Sequence, residues 1–310
     1  MKSKIFLMRL GVLDVGSNSV HLEVIDAHHS APPLAHNSFK HEIKLTEYLN
    51  EQNEISREGI EALVHSISES CRDASALDLD ETLAFATSAI REAENCNQVL
   101  LEVRERTGVD LQVLSGEEEA QFTFLAVRRW FGWSAGDLAI FDIGGGSLEI
   151  ARGREEVASI AMSVMLGAGR LTRTFLSGDP FTDKSLRKLD EHIKSVLLPL
   201  RASMSDNQSA KSVGTSKTFR TLEKLCKEYL PKKNGVLNLD NLNDLSEGLA
   251  KMTFKERKNL PGISQTRAHQ IVAGAYVARG ILETFQIQQI QICPWALREG
   301  IVLRRLDWLS

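Results

Sequence analysis

The sequence predicts an α/β protein of two lobes, each built on the order βββαβαβα, with an interlobe cleft and a helical insertion in the second lobe. Three observations carry this expectation. First, a strand–turn–strand signature occurs twice: Val12 to Val24 reads VLDVGSNSVHLEV and Ile140 to Ile150 reads IFDIGGGSLEI, and both have the form apolar-Asp-x-Gly-x-x-Ser. Their aspartates, Asp14 and Asp142, stand 128 residues apart (142 minus 14), which is too long for a solenoid repeat and suits a duplicated domain. Second, the strand and helix patterns that follow each signature come in the same order. Third, 310 residues exceed what one core usually fills. The halves are therefore drawn as residues 1–130 and 131–310, with a C-terminal helix that can return to pack on the first.

In the first half, strands are expected at residues 9–15 and 20–25 around the GSNS turn. A third follows the Pro32-Pro33 break, at residues 35–45. Ser56 is placed to cap a helix whose apolar positions Ile60, Leu63, Val64, Ile67 and Cys71 recur at helical spacing. A strand at 82–87 precedes a helix from about residue 97 that stops at Gly108, where glycine suits a left-handed C′ position. An alternating strand at 109–114 leads into a helix over 117–130 that buries Phe122, Leu125 and Val127 or their neighbours.

The second half repeats the plan, with strands at 137–143, 147–152 and 157–164, then a loop at Gly167 to Gly169. A helix capped by Thr182 runs to residue 201. A strand at 211–213, the turn Gly214-Thr215-Ser216-Lys217 and a helix through residue 229 follow. The insertion, 230–285, reads as all helical, with a Thr253/Glu256 capping box and a helix opened by Ser264. A strand at 288–293 and a helix at 296–309 close the chain, the helix burying Leu297, Ile301, Leu306 and Trp308.

Composition bounds the function classes. Apolar residues at 43% and charged residues at 25% are ordinary for a globular enzyme. The net charge of −4 argues against non-specific nucleic-acid binding but leaves room for a local basic groove. Cys71, Cys96, Cys226 and Cys293 form no CxxC pair and read as thiols in a reduced cytoplasm. No apolar run is long enough for a membrane span, and the first ten residues do not resemble a signal peptide.

The signatures carry chemistry. A strand that delivers an Asp into a glycine turn exposes backbone amides with no Cβ in the way, so phosphate oxygens can come close, and the Asp is placed to orient a metal or water. Two such turns facing one another would hold a chain of phosphates. Ser115-Gly116-Glu117-Glu118-Glu119 opens a helix; its acids either answer the helix dipole or supply a general base to water. Ala86 to Ala93, which contains Ser88 and Arg91, follows a strand end. Arg91 is either an ordinary surface cation or a fork for phosphate oxygens. Thr215-Ser216-Lys217 offers a helix N-terminus for an anion. His21, on the strand leaving the first turn, is a candidate substrate contact, whereas His28-His29 reads as an exposed turn. The eight histidines make no metal-ligand pattern, and no GxSxG elbow or Walker lysine loop occurs.

Seven blocks in order, DVGSNSVHLEV, ATSAIREAEN, LSGEEEA, FDIGGGSLEI, GTSKTF, LPGIS and PWALREGIVLRRLDWL, resemble those of the exopolyphosphatase and guanosine pentaphosphate phosphatase family. That family lies within the actin, sugar-kinase and heat-shock-chaperone superfamily of paired ribonuclease-H-like lobes. The resemblance makes Glu119 the catalytic base, Asp142 and Glu149 the acids that position water and a divalent metal (Mg²⁺), and Arg91 the contact to the phosphate being cleaved. It places Gly144, Gly145, Gly146 and Ser147 in a phosphate-binding loop. Asp14, Ser17 and Asn18 match its partner in the first lobe, with Ser88, Thr215, Ser216 and Lys217 in small-residue loops nearby. Leu148 stands where the family often has Thr. The additional C-terminal domains of longer relatives are absent, which points to short chains as substrate.

The expected activity is thus exopolyphosphatase hydrolysis, with guanosine pentaphosphate 5′-hydrolysis as the alternative and ATP-dependent phosphotransfer or non-catalytic binding behind them. With 6% aromatic residues, no guanine slot is evident in the sequence. A homodimer through the helical part of the second lobe completes the expectations.

Overall fold

The computed structural model describes residues 7–28, 32–204, 210–229 and 236–308. The first signature becomes the antiparallel pair β1 (Leu7–Val15) and β2 (Ser19–His28), to which β3 (Leu34–Glu42) adds antiparallel. Helix α1 (Arg57–Ala74) starts at Ser56, whose hydroxyl accepts from the Gly59 amide at 3.3 Å. Then β4 (Glu81–Ala86) joins β1 in parallel, α2 (Ser88–Arg91) and α3 (Cys96–Thr107) follow, and β5 (Gln112–Val113) joins β4 before α4 (Gly116–Phe131). Gly108 ends α3 at φ 73°, the left-handed position read from the sequence.

The second signature opens a second meander of β6 (Leu138–Ile143), β7 (Leu148–Gly153) and β8 (Ile160–Val164). Next come α5 (Ala168–Phe175), α6 (Asp183–Leu197), β9 (Lys211–Gly214), α7 (Lys217–Tyr229) and β10 (Leu237–Asn238). Helices α8 (Leu239–Lys251), α9 (Phe254–Lys258) and α10 (Gln265–Phe285), strand β11 (Gln289–Ile292) and helix α11 (Leu297–Trp308) complete the chain.

The first sheet has the order β3-β2-β1-β4-β5 and the second β10-β11-β9-β6-β7-β8. Read from β8, the second repeats the first, with β11 in the place of β5 and β10 added as an antiparallel edge. The duplicated plan is therefore present in strand order and direction as well as in the turns.

By compactness the chain forms two units, Met1–Phe122 with Leu297–Ser310, and Thr123–Ala296. In the first unit the sheet is covered on both faces, so β1 carries no polar side chain from Leu10 to Leu13. Leu13 and Val15 pack with Ile60, Leu63 and Ile67 of α1, and Leu10 and Val12 pack with Val302 and Leu306 of α11. In the second unit α10 is buried nearly all round, as expected of a helix without a polar face. It lies in one core with Phe141, Ile150, Leu189, Phe219 and Leu245.

Several local expectations are corrected. The third strand ends at Glu42, and residues 45–48 form a 3-10 turn instead. Only Gln112–Val113 of the expected 109–114 strand pairs. Helix α6 ends at Leu197, where Pro199 takes the chain into a 3-10 turn. The insertion is not all helical, since β10 pairs with β11; its residues 230–235 lie outside the described set. The 167–169 stretch opens α5 rather than a loop. His28 ends β2 rather than sitting in a turn, and His29 is outside the described residues. Trp308 is 71% exposed: it is the last residue of α11, and Arg304 lies against its ring.

Candidate functional site

In the first unit, β1 brings Asp14 to its C-terminal end and the turn closes through the Gly16 amide on the Ser19 carbonyl at 3.0 Å. The Asn18 carbonyl accepts from the Ile43 and Lys44 amides at 3.1 and 3.3 Å, which pins the turn to the segment after β3. Ser17 is buried, and its hydroxyl lies 3.1 Å from that of Ser88 at the start of α2. Two of the expected site residues, distant in sequence, thus meet directly.

Asp14 has a partner that the sequence did not reveal. Arg298, in the first turn of α11, places Nη1 3.8 Å from the Asp14 carboxylate and Nε 2.7 Å from that of Glu23, and donates to His21 Nδ1. Because the arginine fills Nδ1, the proton of a neutral His21 sits on Nε2 and is donated to Ser38 Oγ at 2.6 Å. Burial pushes the Asp14 pKa up; Arg298 opposes that shift and Glu23 adds to it.

Arg91 and Glu119 form the second set of this unit. The guanidinium donates through Nε to Glu92 at 2.9 Å, through Nη1 to the Leu114 carbonyl at 2.9 Å, and through Nη1 to Glu119. Arg91 is therefore not an ordinary surface cation. Burial works against its charge, but the carboxylates of Glu119 and Glu92 hold its pKa above the usual arginine value. The three acids that open α4 separate by role. Glu118 caps the helix, taking the Ser115 amide and hydroxyl at 2.8 Å while its own amide donates back to Ser115 Oγ. Glu117 is exposed. Glu119 turns inward, 6% exposed. The pattern Ser-x-x-Glu was the signal that could have separated Glu118 from Glu119 in the sequence.

In the second unit, the GGGS turn closes through the Gly144 amide on the Ser147 carbonyl, again at 3.0 Å. Asp142 and Glu149 are direct register partners across β6 and β7, so both side chains leave the same face of the sheet. Glu149 is buried and accepts from Ser163 Oγ at 2.8 Å. Thr215 Oγ1 lies 3.5 Å from Asp142 Oδ2 and donates to the Trp295 carbonyl at 3.0 Å, and Ser216, at φ 43°, donates its amide to Thr215 Oγ1 at 2.7 Å. Asp142, Glu149 and Thr215 are thus brought together. Lys217 is exposed at the first position of α7.

Among the described residues no cluster of three or more His, Cys, Asp or Glu side chains forms a ligand set for a metal. The Asp142/Glu149 pair by itself fits a cation that keeps several waters and takes its other ligands from phosphate oxygens, which is the habit of Mg²⁺. No helix among the described residues is long and apolar enough to cross a membrane.

A family model described as the Ppx/GppA phosphatase family matches residues 24–308. Exopolyphosphatase 1 of Mycobacterium tuberculosis is 45% identical over 305 residues, which cover 97% of this chain and 89% of that protein. Exopolyphosphatase 1 of Mycobacterium leprae is 45% identical over 307 residues, 97% and 90% of the two chains. Among solved structures, an exopolyphosphatase from Cytophaga hutchinsonii aligns with a TM-score of 0.86 at 23% identity, covering 98% of this chain and 99% of its own. The Aquifex aeolicus member of the Ppx/GppA family aligns with a TM-score of 0.79 at 23% identity, with the same coverage; these two likenesses bear on the fold. Paired glycine turns with one closing hydrogen bond, a repeated strand order, and a family match spanning almost the whole sequence lead to one conclusion: this chain belongs to the Ppx/GppA phosphatase family.

Proposed function

We propose that this chain is an exopolyphosphatase that hydrolyses the terminal phosphoryl group of inorganic polyphosphate, with short chains as its substrate, and releases orthophosphate. The observation that carries the reading is the buried Glu119 carboxylate held by Arg91, a base and a phosphate-binding fork in one assembly. The names of the relatives at 45% identity support the same substrate.

In this reading water attacks the terminal phosphorus in line with the bridging oxygen. A P–O bond forms to the water and the P–O bond to the bridging oxygen breaks. Glu119 accepts the water's proton, and Arg91 neutralises oxygens of the transferring group. In the second unit the amides of the Gly144–Ser147 turn bind phosphate oxygens, and in the first unit the Ser17 and Ser88 hydroxyls do so. Asp142 and Glu149 would hold a divalent cation, Mg²⁺ in the first instance, which supplies charge neutralisation at the phosphates when bound. The protein is placed in the cytoplasm, where its four unbridged cysteines would stay reduced, and a homodimer is its proposed assembly.

One observation favours guanosine pentaphosphate as a second substrate. The Trp130 ring, 48% exposed, packs edge-on against Trp295 with centroids 5.4 Å apart, and Trp295 is the residue whose carbonyl anchors Thr215. This is an aromatic surface on which a guanine can stack. Orthophosphate release measured in parallel from short-chain polyphosphate and from guanosine pentaphosphate, with no acceptor added, tests the assignment. Faster release from polyphosphate is expected; release from the nucleotide alone would reverse the order. No release from either without an acceptor would point to phosphotransfer.

A further inference from the structure

The Gly144–Ser147 turn owes its orientation to α5, the helix that its sequence did not announce. The Gly144 carbonyl accepts from the Ala168 amide at 2.9 Å, the Gly145 carbonyl from the Arg170 amide at 2.9 Å, and the Gly146 carbonyl from Arg170 Nε at 3.1 Å. Three successive carbonyls are therefore turned toward the first turn of one helix. In a planar trans peptide the carbonyl of one residue and the amide of the next point in opposite directions. The amides of Gly145, Gly146 and Ser147 are accordingly directed away from α5, and among the described residues no backbone carbonyl accepts from them. Successive amides aimed at one side make an anion-binding concavity.

The fit between helix and turn is close enough to require glycine. A Cβ on Gly167 would come within 2.2 Å of the Gly146 carbonyl carbon and 2.3 Å of the Ser147 nitrogen, and one on Gly169 within 3.0 Å of the Gly145 oxygen. Two of the three bonds are backbone to backbone and survive any side chain. The third, at Gly146, depends on a single guanidinium, so the peptide that carries the Ser147 amide is the one that a side chain controls.

We infer that Arg170 is a positioning residue for phosphate binding: it acts through the Gly146 carbonyl to fix the amide that follows. The inference rests on the reading of this turn as the phosphate loop. Nothing in the sequence singled out Arg170, because the role depends on α5 lying against the turn.

The test uses the full chain and two variants, Arg170→Met and Arg170→Lys, with melting temperatures recorded for each. Steady-state orthophosphate release gives KM and kcat. Titration of inorganic phosphate into ¹⁵N-labelled protein without polyphosphate follows the Gly145, Gly146 and Ser147 amides. Loss of a charge-assisted hydrogen bond at the turn is expected to raise KM about tenfold in Arg170→Met with kcat within about threefold, and to shrink the phosphate-induced amide shifts. Arg170→Lys, which keeps a cationic donor, is expected to recover part of both. Wild-type KM and wild-type amide shifts in a folded Arg170→Met protein would overturn the inference. So would a wild-type protein that releases phosphate while the three amides ignore added phosphate. A wild-type protein that does not act on polyphosphate, yet whose amides respond to phosphate in an Arg170-dependent way, would remove the proposed substrate and leave the inference standing.

Discussion

Arg91 donates through one nitrogen, Nη1, both to the Glu119 carboxylate and to the Leu114 carbonyl. The acid proposed to activate water is thereby tied to the backbone that leads into its own helix, and its partner cannot shift without releasing both. A carboxylate anchored in this way is held in one orientation before substrate arrives, which is what preorganised proton transfer requires.

The fork geometry makes Arg91→Lys a severe change. A lysine has one charged nitrogen and cannot serve Glu92, Leu114 and Glu119 together, so kcat/KM for polyphosphate is expected to fall about 10- to 1,000-fold. Steady-state assays at matched protein stability check this; a variant within twofold of wild type would show that the fork is not used.

A stability prediction comes from the docking of α11. A Cβ on Gly300 would lie 1.9 Å from the Phe122 carbonyl oxygen, a contact with backbone that no rotamer relieves. Gly300→Ala is expected to destabilise the fold by about 1–3 kcal/mol, the usual cost of overpacking, and thermal unfolding measures it.

Acid stability should depend on Asp190. Burial alone would raise its pKa, but Lys194 Nζ at 3.0 Å and the Arg279 guanidinium outweigh that and hold it below the usual carboxylate value of 3.8. A carboxyl depressed in the folded state contributes stability that is present above its unfolded pKa and is lost as pH falls through the folded value. Urea unfolding from pH 6 downward should therefore show a loss below about pH 3.8 that is smaller in Asp190→Asn. Equal acid limbs for the two proteins would contradict the linkage.

The thiols should differ in reactivity. Burial, with Glu223 adding to it, pushes the Cys226 pKa up to about 11, and the side chain has no exposure. Cys71 and Cys96 are raised by burial too but are only half-buried. Alkylation of the native protein at pH 8 should modify Cys71 and Cys96 first and spare Cys226, as peptide mass mapping would show.

The succession of strands and helices along the chain was legible because it follows from local signals. Alternating and continuous apolar runs, the Ser56 and Thr182 caps, Gly108 and the two glycine turns each act within a few residues. What was not legible depends on contacts between distant segments. Helix α5 begins where Gly167 and Gly169 argue for a loop, and it is helical because its first turn is matched to the carbonyls of Gly144 to Gly146. Arg298 reads as one more charge on the last helix until α11 lies on the first sheet and brings it to Asp14 and Glu23. The Asp142/Glu149 pair falls between these cases: a tight turn fixes its register, so its shared face could be counted from the turn outward.

The most direct test of the account is the turnover and substrate affinity of Glu119→Gln on short-chain polyphosphate. The substitution keeps the shape of the side chain and removes the proton acceptor. The account predicts that kcat falls by about two to four orders of magnitude while the dissociation constant for polyphosphate stays within a few-fold of wild type. Orthophosphate release at a near wild-type rate from a folded Glu119→Gln protein would contradict it.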